Sequence, residues 1–304
     1  DTAGSGALRL TNGDTTTGTN GNNQTGAVVS NFTFPTNQGL QVTFTTVTYG
    51  GNAYKNSSGT QSGADGISFF LADGSQPATV GALGGSLGYS CSNGNSTYDG
   101  VVGGYIGLGI DEYGNFSNSG DNTNTGPGAT PGRISLRGAG NTNWANLSTN
   151  YSQYYPTSGM STSQSNAVQR TCRAGYLYNY SGSGTYDATG RWINDGGRTY
   201  EKIPYNYNYI TGDTLSGVTL YSQEATNNPV RGSATPITYG LTITQDGLLS
   251  LSYSVNGGTA QPVITNRSIT ASNGPLPSSF RFGFSAGTGG GSNVHEITCF
   301  KAAP

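Results

Sequence analysis

Residues 63–71 read GADGISFFL, a short turn that leads directly into an apolar run typical of a β-strand. Similar strand-like runs recur along the chain, at residues 27–29, 40–44, 239–244, 249–255 and 280–284. Turn signals separate the runs, and residues 242–255, which enclose Asp246-Gly247, are predicted to form a hairpin. No window of about 11 or more residues shows helical periodicity. Many short strands with glycine-rich turns predict an all-β sandwich, barrel or jelly roll.

The composition excludes several classes of protein. Charged residues make up 9% of the 304 residues, the net charge is −2, and there are 50 Gly and 20 Tyr. With so few cations the chain has no basic surface for a run of phosphates, which argues against nucleic-acid binding. No stretch reaches the roughly 18 apolar residues of a membrane-spanning helix. Few charges and many hydroxyls, amides and tyrosines indicate a secreted or cell-surface protein.

Residues 151–216 differ in composition from the rest of the chain. They are rich in Tyr, Asn, Ser and Gly and poor in aliphatic residues. Such a segment is expected to lack a core of its own. We interpret the chain as a single domain, 1–304, with an insertion at about 151–216 that lies on the main domain.

Four segments in a fixed order carry a resemblance to a known family. They are residues 63–71, residues 84–88 (GGSLG), residues 105–116 (YIGLGIDEYGNF), and residues 282–289 (FGFSAGTG) followed by residues 295–297 (HEI). Together they resemble the L-type, or legume-type, lectin domain, and most of all its bacterial versions in surface or pilus-tip adhesins. The resemblance implies a concanavalin A-like jelly roll with a flat back sheet, a concave front sheet and a small top sheet. It also implies a shallow sugar site in loops at the edge of the concave sheet.

The resemblance assigns sugar-binding roles to particular residues. Asp65 is expected to accept hydrogen bonds from two sugar hydroxyls, after a cis Ala64–Asp65 peptide. Gly84 or Gly85 is expected to offer a backbone N–H, Asn115 to donate to the sugar, and Phe116 to form an apolar platform. The alternatives are a plain strand-entry turn at Asp65 and plain turns in the glycine runs. The loop at residues 287–293 matches the fourth loop of the family, which tunes sugar preference in relatives, but its glycine-rich composition indicates no particular sugar.

The same resemblance implies a calcium site. Asp111, Tyr113 and Asn115 match the metal loop of the family, and Asp121 is the best remaining carboxylate, although its spacing is offset by one residue. An all-oxygen set of this kind suits Ca²⁺. Gly109 stands where the family has the glutamate of a second, transition-metal site, so that second metal is expected to be absent. The alternative is a polar turn without any metal.

Three cysteines leave one thiol without a partner in the chain. Cys91 follows the second sugar-binding loop, and Cys172 lies in the insertion, which is expected to cover the same end of the molecule. A Cys91–Cys172 disulfide is therefore predicted, and Cys299 remains on the last strand. The imidazole of His295, the one histidine of the chain, matches a structural position of the family.

Two further expectations concern function. A sandwich glycosidase needs a pair of carboxylates, but the chain holds four Glu and no glycosidase pattern, so it is expected not to be an enzyme. The sequence instead predicts a carbohydrate-binding adhesin module whose partner is a glycan on a cell or host surface. The alternative is a structural or protein-interaction domain that has lost sugar binding. Residues 301–304 (KAAP) are expected to begin a linker to further domains.

Overall fold

The structure is a computed structural model of the 304-residue chain. It describes residues 6–13, 21–52, 54–55, 61–119, 123, 125–160, 162–177, 184–186, 192–194, 201–218, 220 and 230–304. Strands dominate, as the alternating runs predict, and every strand pair in the described residues is antiparallel. No helix among these residues is long and apolar enough to cross a membrane.

A six-stranded sheet forms one layer of the molecule. Its strands, in spatial order, are β1 (Leu8–Thr11), β17 (Ser292–Ala303), β4 (Leu40–Asn52), β13 (Ile237–Ile243), β14 (Leu248–Val255) and β15 (Gln261–Ser268). The predicted hairpin is confirmed, because β13 and β14 pair from Ile237↔Val255 to Ile243↔Leu249. Both chain ends of the described fold thus lie in one sheet.

A seven-stranded sheet forms the second layer. Its main path runs β12 (Tyr209–Thr214), β9 (Arg133–Arg137), β8 (Gly104–Asp111), β7 (Gly66–Asp73), β16 (Ser279–Gly287) and β2 (Thr25–Val29), and β3 (Phe34–Pro35) also pairs with β16. Two small ribbons are β5 (Tyr54–Lys55) with β6 (Gln61–Ser62), and β10 (Gly184–Tyr186) with β11 (Trp192–Asn194). The helices are α1 (Trp144–Asn150), α2 (Gln164–Ala174) and α3 (Thr270–Asn273).

The main core lies between the two large sheets. Phe44 of the six-stranded sheet packs against Phe69 and Phe284 of the seven-stranded sheet, with ring centroids 5.6 and 5.0 Å apart. Along β14, Leu249 and Leu251 are buried while their sequence neighbours are less so. This alternation is what a sheet with one buried face requires. The structure confirms an all-β, jelly-roll sandwich.

A second hydrophobic cluster covers the outer face of the seven-stranded sheet. Because side chains alternate along a strand, Phe70 points away from the main core that its neighbours Phe69 and Leu71 join. Phe70 packs there with Tyr89, 6.0 Å between ring centroids. The remaining members of the cluster include Leu87, Cys91, Val101, Phe116, Cys172 and Tyr207. The loops that lie over this face are therefore anchored by aromatic rings.

The structure differs from the sequence-based expectations in three respects. The chain has an 11-residue helix, α2. The apolar pattern of the sequence does not predict this helix, because the buried residues of α2 are few and partly polar. The side chain of Ser163 caps the start of this helix, and Gly175 ends it at φ +71. Residues of the inserted region also form a small hydrophobic cluster with Leu147 of α1; they are Tyr155, Ala167, Val168, Leu177 and Ile203. Finally, β12 belongs to the seven-stranded sheet although it lies within the predicted insertion.

The expected linker at residues 301–304 was also wrong for most of its length. Strand β17 continues to Ala303, whose Cα pairs with that of Gln41 in β4. A small residue such as Ala is tolerated in a strand when the backbone finds a ladder partner, and β4 is long enough to supply one. Cys299 lies in this strand at φ +53, between the two registers of a β-bulge, and its side chain is exposed.

Candidate functional site

An open pocket of about 580 Å³ lies at one end of the seven-stranded sheet. Separate loops meet there, and they include each of the loops to which the sequence assigned a sugar-binding role. The described lining residues are Asn23, Gln24, Thr25, Ala64, Asp65, Leu83, Gly84, Gly85, Asn95, Ser96, Thr97, Tyr113, Asn115, Thr288, Gly289, Gly290 and Gly291. Such a convergence of loops on a rigid sheet is a usual place for a ligand site.

Asp65 lies on the wall of this pocket, at the residue before β7 begins. The Ala64–Asp65 peptide is cis, as the resemblance implies. The Asp65 N–H donates to the carbonyl oxygen of Gly287 (2.6 Å), and the Asp65 carbonyl oxygen accepts from the N–H of Tyr113 (3.3 Å). The backbone of Asp65 is thereby held between two neighbouring loops of the pocket.

Glycines keep the surroundings of the Asp65 carboxylate open. A Cβ atom added at Gly287 would lie 3.3 Å from Asp65 Oδ2, and one added at Gly289 would lie 3.4 Å from Oδ1. Longer side chains at these two positions would therefore cover the carboxylate or displace it. The glycine-rich loop at 287–291 therefore leaves open space around the Asp65 carboxylate in the pocket.

The loop with Gly84 and Gly85 is braced by the loop at residues 92–97. Asn95 Nδ2 donates to the carbonyl oxygen of Leu83 (2.9 Å), and the Leu83 N–H donates to Thr97 Oγ1 (2.9 Å). Gly84 has φ +63, and a Cβ there would lie 2.6 Å from Asn95 Nδ2, so this position needs glycine on both grounds. Asn95 and Thr97 thus shape the pocket together with the glycines that the sequence singled out.

The inserted helix α2 supports that bracing loop from behind. The predicted disulfide is present and joins Cys91 to Cys172 of α2, with 5.9 Å between their Cα atoms. Gln169 Nε2 donates to the carbonyl oxygen of Asn95 (2.8 Å), and Arg173 donates to that of Asn93 (3.3 Å). The described part of the insertion therefore supports the pocket wall, and none of its residues lines the pocket.

The loop after β8 begins at Asp111, which is buried and bonded to its own loop. Asp111 Oδ1 accepts from the N–H of Gly114 (2.8 Å), and Oδ2 accepts from the N–H of Phe116 (2.8 Å). Burial raises the pKa of the Asp111 carboxyl to about 8, although these hydrogen bonds and one from the Ser117 N–H act to lower it; the nearby charge of Asp65 adds to the rise. The carboxylate closes a turn from which Tyr113 and Asn115 reach the pocket.

The described residues of this loop do not fit calcium. Ca²⁺ takes about six to eight oxygen ligands, several of them carboxylates. Both oxygens of the Asp111 carboxylate instead accept backbone N–H groups, and Asn115 Oδ1 accepts from Asn118 Nδ2 (3.3 Å). No group of three His, Cys, Asp or Glu side chains in the described residues could hold a metal ion. Asp121, the fourth expected ligand, lies outside the described residues.

The expected platform role of Phe116 was wrong. Its side chain is fully buried in the cluster on the outer face of the sheet, so it cannot present a face to a sugar. A Cβ at Gly109 would lie 2.2 Å from Phe116 Cδ1, which shows that the ring fills the space beside that glycine. Tyr113, assigned from the sequence only as a metal ligand, is the one aromatic residue in the described pocket lining.

Glu112 and His295 form a structural network away from the pocket. Glu112 Oε2 accepts from Asn293 Nδ2 (2.6 Å), and Glu112 Oε1 lies 3.1 Å from His295 Nε2. The other imidazole nitrogen lies 2.7 Å from Thr11 Oγ1. This buried network joins the loop after β8 to β17 and β1 of the opposite sheet. It agrees with the structural role expected for His295.

Similar structures are found among lectins. The VIP36 exoplasmic/lumenal domain in its Ca²⁺/Man-bound form is 14% identical, with 98% of this chain and 77% of that chain covered and a TM-score of 0.49. The seed lectin of Lotus tetragonolobus is 12% identical, with 98% of each chain covered and a TM-score of 0.46. Peanut lectin in complex with a 9mer peptide is 16% identical, with 98% and 86% covered and a TM-score of 0.45. No protein-family model matches the chain, and no curated protein sequence matches it.

Of the residues assigned to the sugar site from the sequence, Asp65, Gly84, Gly85 and Asn115 line one pocket, and Phe116 does not. Asn23–Thr25 and Asn95–Thr97, in the same pocket, have no local signal in a chain so rich in Asn, Ser and Thr. Asn23–Thr25 approach through pairing of β2 with β16, where Gly287 lies opposite Thr25. Such contacts depend on which strands become neighbours.

Proposed function

We propose that this protein binds carbohydrate, without catalysing a reaction, in the pocket around Asp65. The observation that carries the proposal is that the loops around Asp65, Gly84, Asn115 and Gly289, distant in sequence, converge on one open pocket with an acid on its wall. The pocket is open and lined mainly by polar residues, which suits a hydroxyl-rich, uncharged ligand better than an apolar one.

The chemistry of a neutral sugar matches the groups that the pocket offers. The carboxylate of Asp65 can accept hydrogen bonds from two adjacent hydroxyls, and a charged acceptor makes these bonds stronger than neutral ones. The Asn115 amide and the backbone around Gly84 can supply donors. Tyr113 can cover an apolar face of the sugar ring in the place expected for Phe116.

Binding fits the pocket better than hydrolysis does. Glycoside hydrolysis uses two carboxyl groups on either side of the scissile bond. Asp65 is the one carboxylate in the described lining, and Asp111 is buried behind it with both oxygens bonded to backbone N–H groups. Calcium is left out of the proposal because the described donors do not fit it.

The chief alternative is a scaffold that has lost sugar binding. A lost site would be expected to be filled by neighbouring side chains, above all by the tyrosine-rich insertion. The pocket is instead open, and no described residue of the insertion lines it. This favours a retained site.

The wider role that we propose is adhesion. The low charge, the Cys91–Cys172 disulfide and the resemblance to surface adhesins support a secreted or cell-surface module that binds a glycan on a cell or host surface, as part of a longer polypeptide or pilus.

A glycan array probed with the purified chain tests the function, and titration calorimetry with the best glycan tests the site. Asp65→Asn should weaken binding about tenfold or more, because it removes a charged acceptor of two hydrogen bonds. Asp73→Asn is the matched control, because Asp73 ends the same strand outside this pocket. No binding to any glycan, or equal affinity of Asp65→Asn and the unaltered chain, would contradict the proposal.

A further inference from the structure

Arg137 is a fully buried cation at the end of β9, beneath the loop that carries Tyr113 and Asn115. Along β9, Ile134 and Leu136 face the main core, so Arg137 points to the opposite, outer face of the sheet. Burying a guanidinium is costly unless its N–H groups are paired. Its partners therefore show what this side chain does.

The guanidinium is bonded to the loop over the sheet. Its Nε donates to the carbonyl oxygen of Phe116 (2.7 Å), and Nη1 and Nη2 donate to Thr123 Oγ1 (3.0 Å) and the Thr125 carbonyl oxygen (3.1 Å). Nη1 also donates to the carbonyl oxygen of Tyr207 (2.9 Å) in the segment that leads into β12. One side chain is thus bonded to Phe116, to Thr123 and Thr125, and to the segment before β12.

The aromatic ring of Phe116 completes this arrangement. The guanidinium carbon lies 5.6 Å from the centroid of the ring, within the range of a cation–π contact. The ring lies over Gly109, in space that any side chain at that position would occupy. Gly109 is also the position at which the family resemblance leads one to expect a metal-binding glutamate. A phenyl ring and a guanidinium therefore fill the region beside Gly109, in agreement with the expected absence of a second metal there.

Asp111 anchors the other side of the same loop. Its carboxylate accepts the N–H groups of Gly114 and Phe116, while Arg137 binds the Phe116 carbonyl oxygen. The peptide groups on both sides of Phe116 are thus bonded to the Asp111 carboxyl group and to the Arg137 guanidinium. Tyr113 and Asn115, which reach the pocket, lie within this clamped turn.

We propose that Arg137 is a positioning residue that orders the turn at 112–118 of the pocket loop and makes its order independent of a bound metal ion. That the loop serves a sugar rests on the proposed function above, whereas the ordering itself does not. The guanidinium is a positive charge that belongs to the chain itself, and its hydrogen bond to the Phe116 carbonyl oxygen holds one end of the turn. The pocket should consequently be formed in the absence of calcium.

Hydrogen exchange of the purified chain tests the proposal without any sugar. Exchange over residues 112–118 should be the same in about 1 mM CaCl₂ and in excess chelator. Residues 106–110 of β8 serve as the internal reference, because their amides report global opening. Slower exchange at 112–118 in calcium than in chelator would overturn the proposal, and this comparison needs no variant.

Two variants then test Arg137 itself. In Arg137→Met, exchange at 112–118 should be about tenfold faster while 106–110 changes less, and Arg137→Lys should restore part of the protection. Arg133→Met is the matched control, since Arg133 is on the same strand and face but donates to Tyr209 and Gly212 of β12. Wild-type exchange at 112–118 in Arg137→Met, or an equal acceleration at 106–110, would overturn the assignment. An unaltered chain whose loop is ordered but which binds no sugar would contradict only the proposed function.

Discussion

Glu296 is a buried carboxylate on β17 whose oxygens are bonded to three side chains. Arg231 Nε donates to Oε2 (2.6 Å), and Arg9 Nε and the Tyr49 hydroxyl donate to Oε1 (2.9 and 3.0 Å). Burial by itself would raise the pKa of Glu296, but the hydrogen bonds from Arg231, Arg9 and Tyr49 outweigh it and lower the pKa below 4.5. The ionised form is therefore the stable one in the folded chain.

This arrangement predicts a loss of stability in acid. Because the folded-state pKa is depressed, the contribution of Glu296 is fully present above about pH 4.5 and is lost as pH falls through the folded value. At neutral pH, Glu296→Gln should lower the free energy of unfolding by about 1–3 kcal/mol. Urea denaturation at a series of pH values checks this: the difference between the variant and the unaltered chain should shrink below pH 4.5. A difference that does not vary with pH would contradict the assignment.

Phe116 shows that the position of a residue in the sequence does not give the direction of its side chain. A phenylalanine next to a pocket residue is a natural choice for a sugar platform, but its direction depends on what lies beneath it. Gly109 leaves room for the ring under the loop, and Arg137 supplies a cation there. The apolar ring is more stable in that covered space than in water.

Among the elements, α2 is the one whose place depends on a covalent bond. Few apolar residues of this helix are buried, and its contacts with the bracing loop at 92–97 are mostly polar. The Cys91–Cys172 disulfide closes a loop across 81 residues of sequence and limits the freedom of this region in the unfolded chain.

Removal of the disulfide should loosen α2 before the sandwich. The double variant Cys91→Ser/Cys172→Ser is expected to lose about 2–4 kcal/mol of stability, measured by chemical denaturation. Limited proteolysis should then cut first within residues 144–177, since the main sheets do not depend on this bond. Cys299→Ser is the control and should match the unaltered chain, because Cys299 is exposed and unbridged. First cleavage in the sheets would show that the disulfide supports the whole sandwich.

On the scale of the whole molecule, aromatic rings connect the two sheets. Phe44 lies at the centre, 5.4 Å from the ring centroid of Tyr239 in its own sheet and within 5.0–5.6 Å of Phe284 and Phe69 across the core. Rings at these distances add a specific attraction to the burial of apolar area. Both sheets therefore share a single core.

Phe44→Ala should destabilise the molecule by about 3–5 kcal/mol, because it leaves a cavity between the sheets that neighbouring rings cannot fill. Phe32→Ala is the control, since Phe32 is 80% exposed, and its effect should stay within about 0.5 kcal/mol. Thermal unfolding followed by near-ultraviolet circular dichroism measures both. Separate melting of the two sheets in Phe44→Ala would contradict a shared core.

The sequence by itself determined the class of fold and indicated four residues that line the pocket, Asp65, Gly84, Gly85 and Asn115. Alternation in runs such as 249–255 dictates one buried and one less buried face, and turn pairs such as Asp246-Gly247 dictate hairpins. These signals are local, because they depend on the direction of successive side chains along one strand. The segments at 63–71 and 105–116 are also local signals, because the family resemblance depends on the order of consecutive residues in each of them.

Only the tertiary structure decided the inserted helix, the inward direction of Phe116 and the burial of Arg137. Each depends on contacts between residues far apart in the chain, such as Cys91 with Cys172 and Arg137 with Tyr207. A short polar helix is stable because a disulfide and capping groups hold it, and a guanidinium is buried because a loop supplies its acceptors. Such arrangements are stabilised by residues that lie far apart in the sequence, and a local sequence pattern cannot indicate these partners. The contacts form only when the folded sheets bring the partners together.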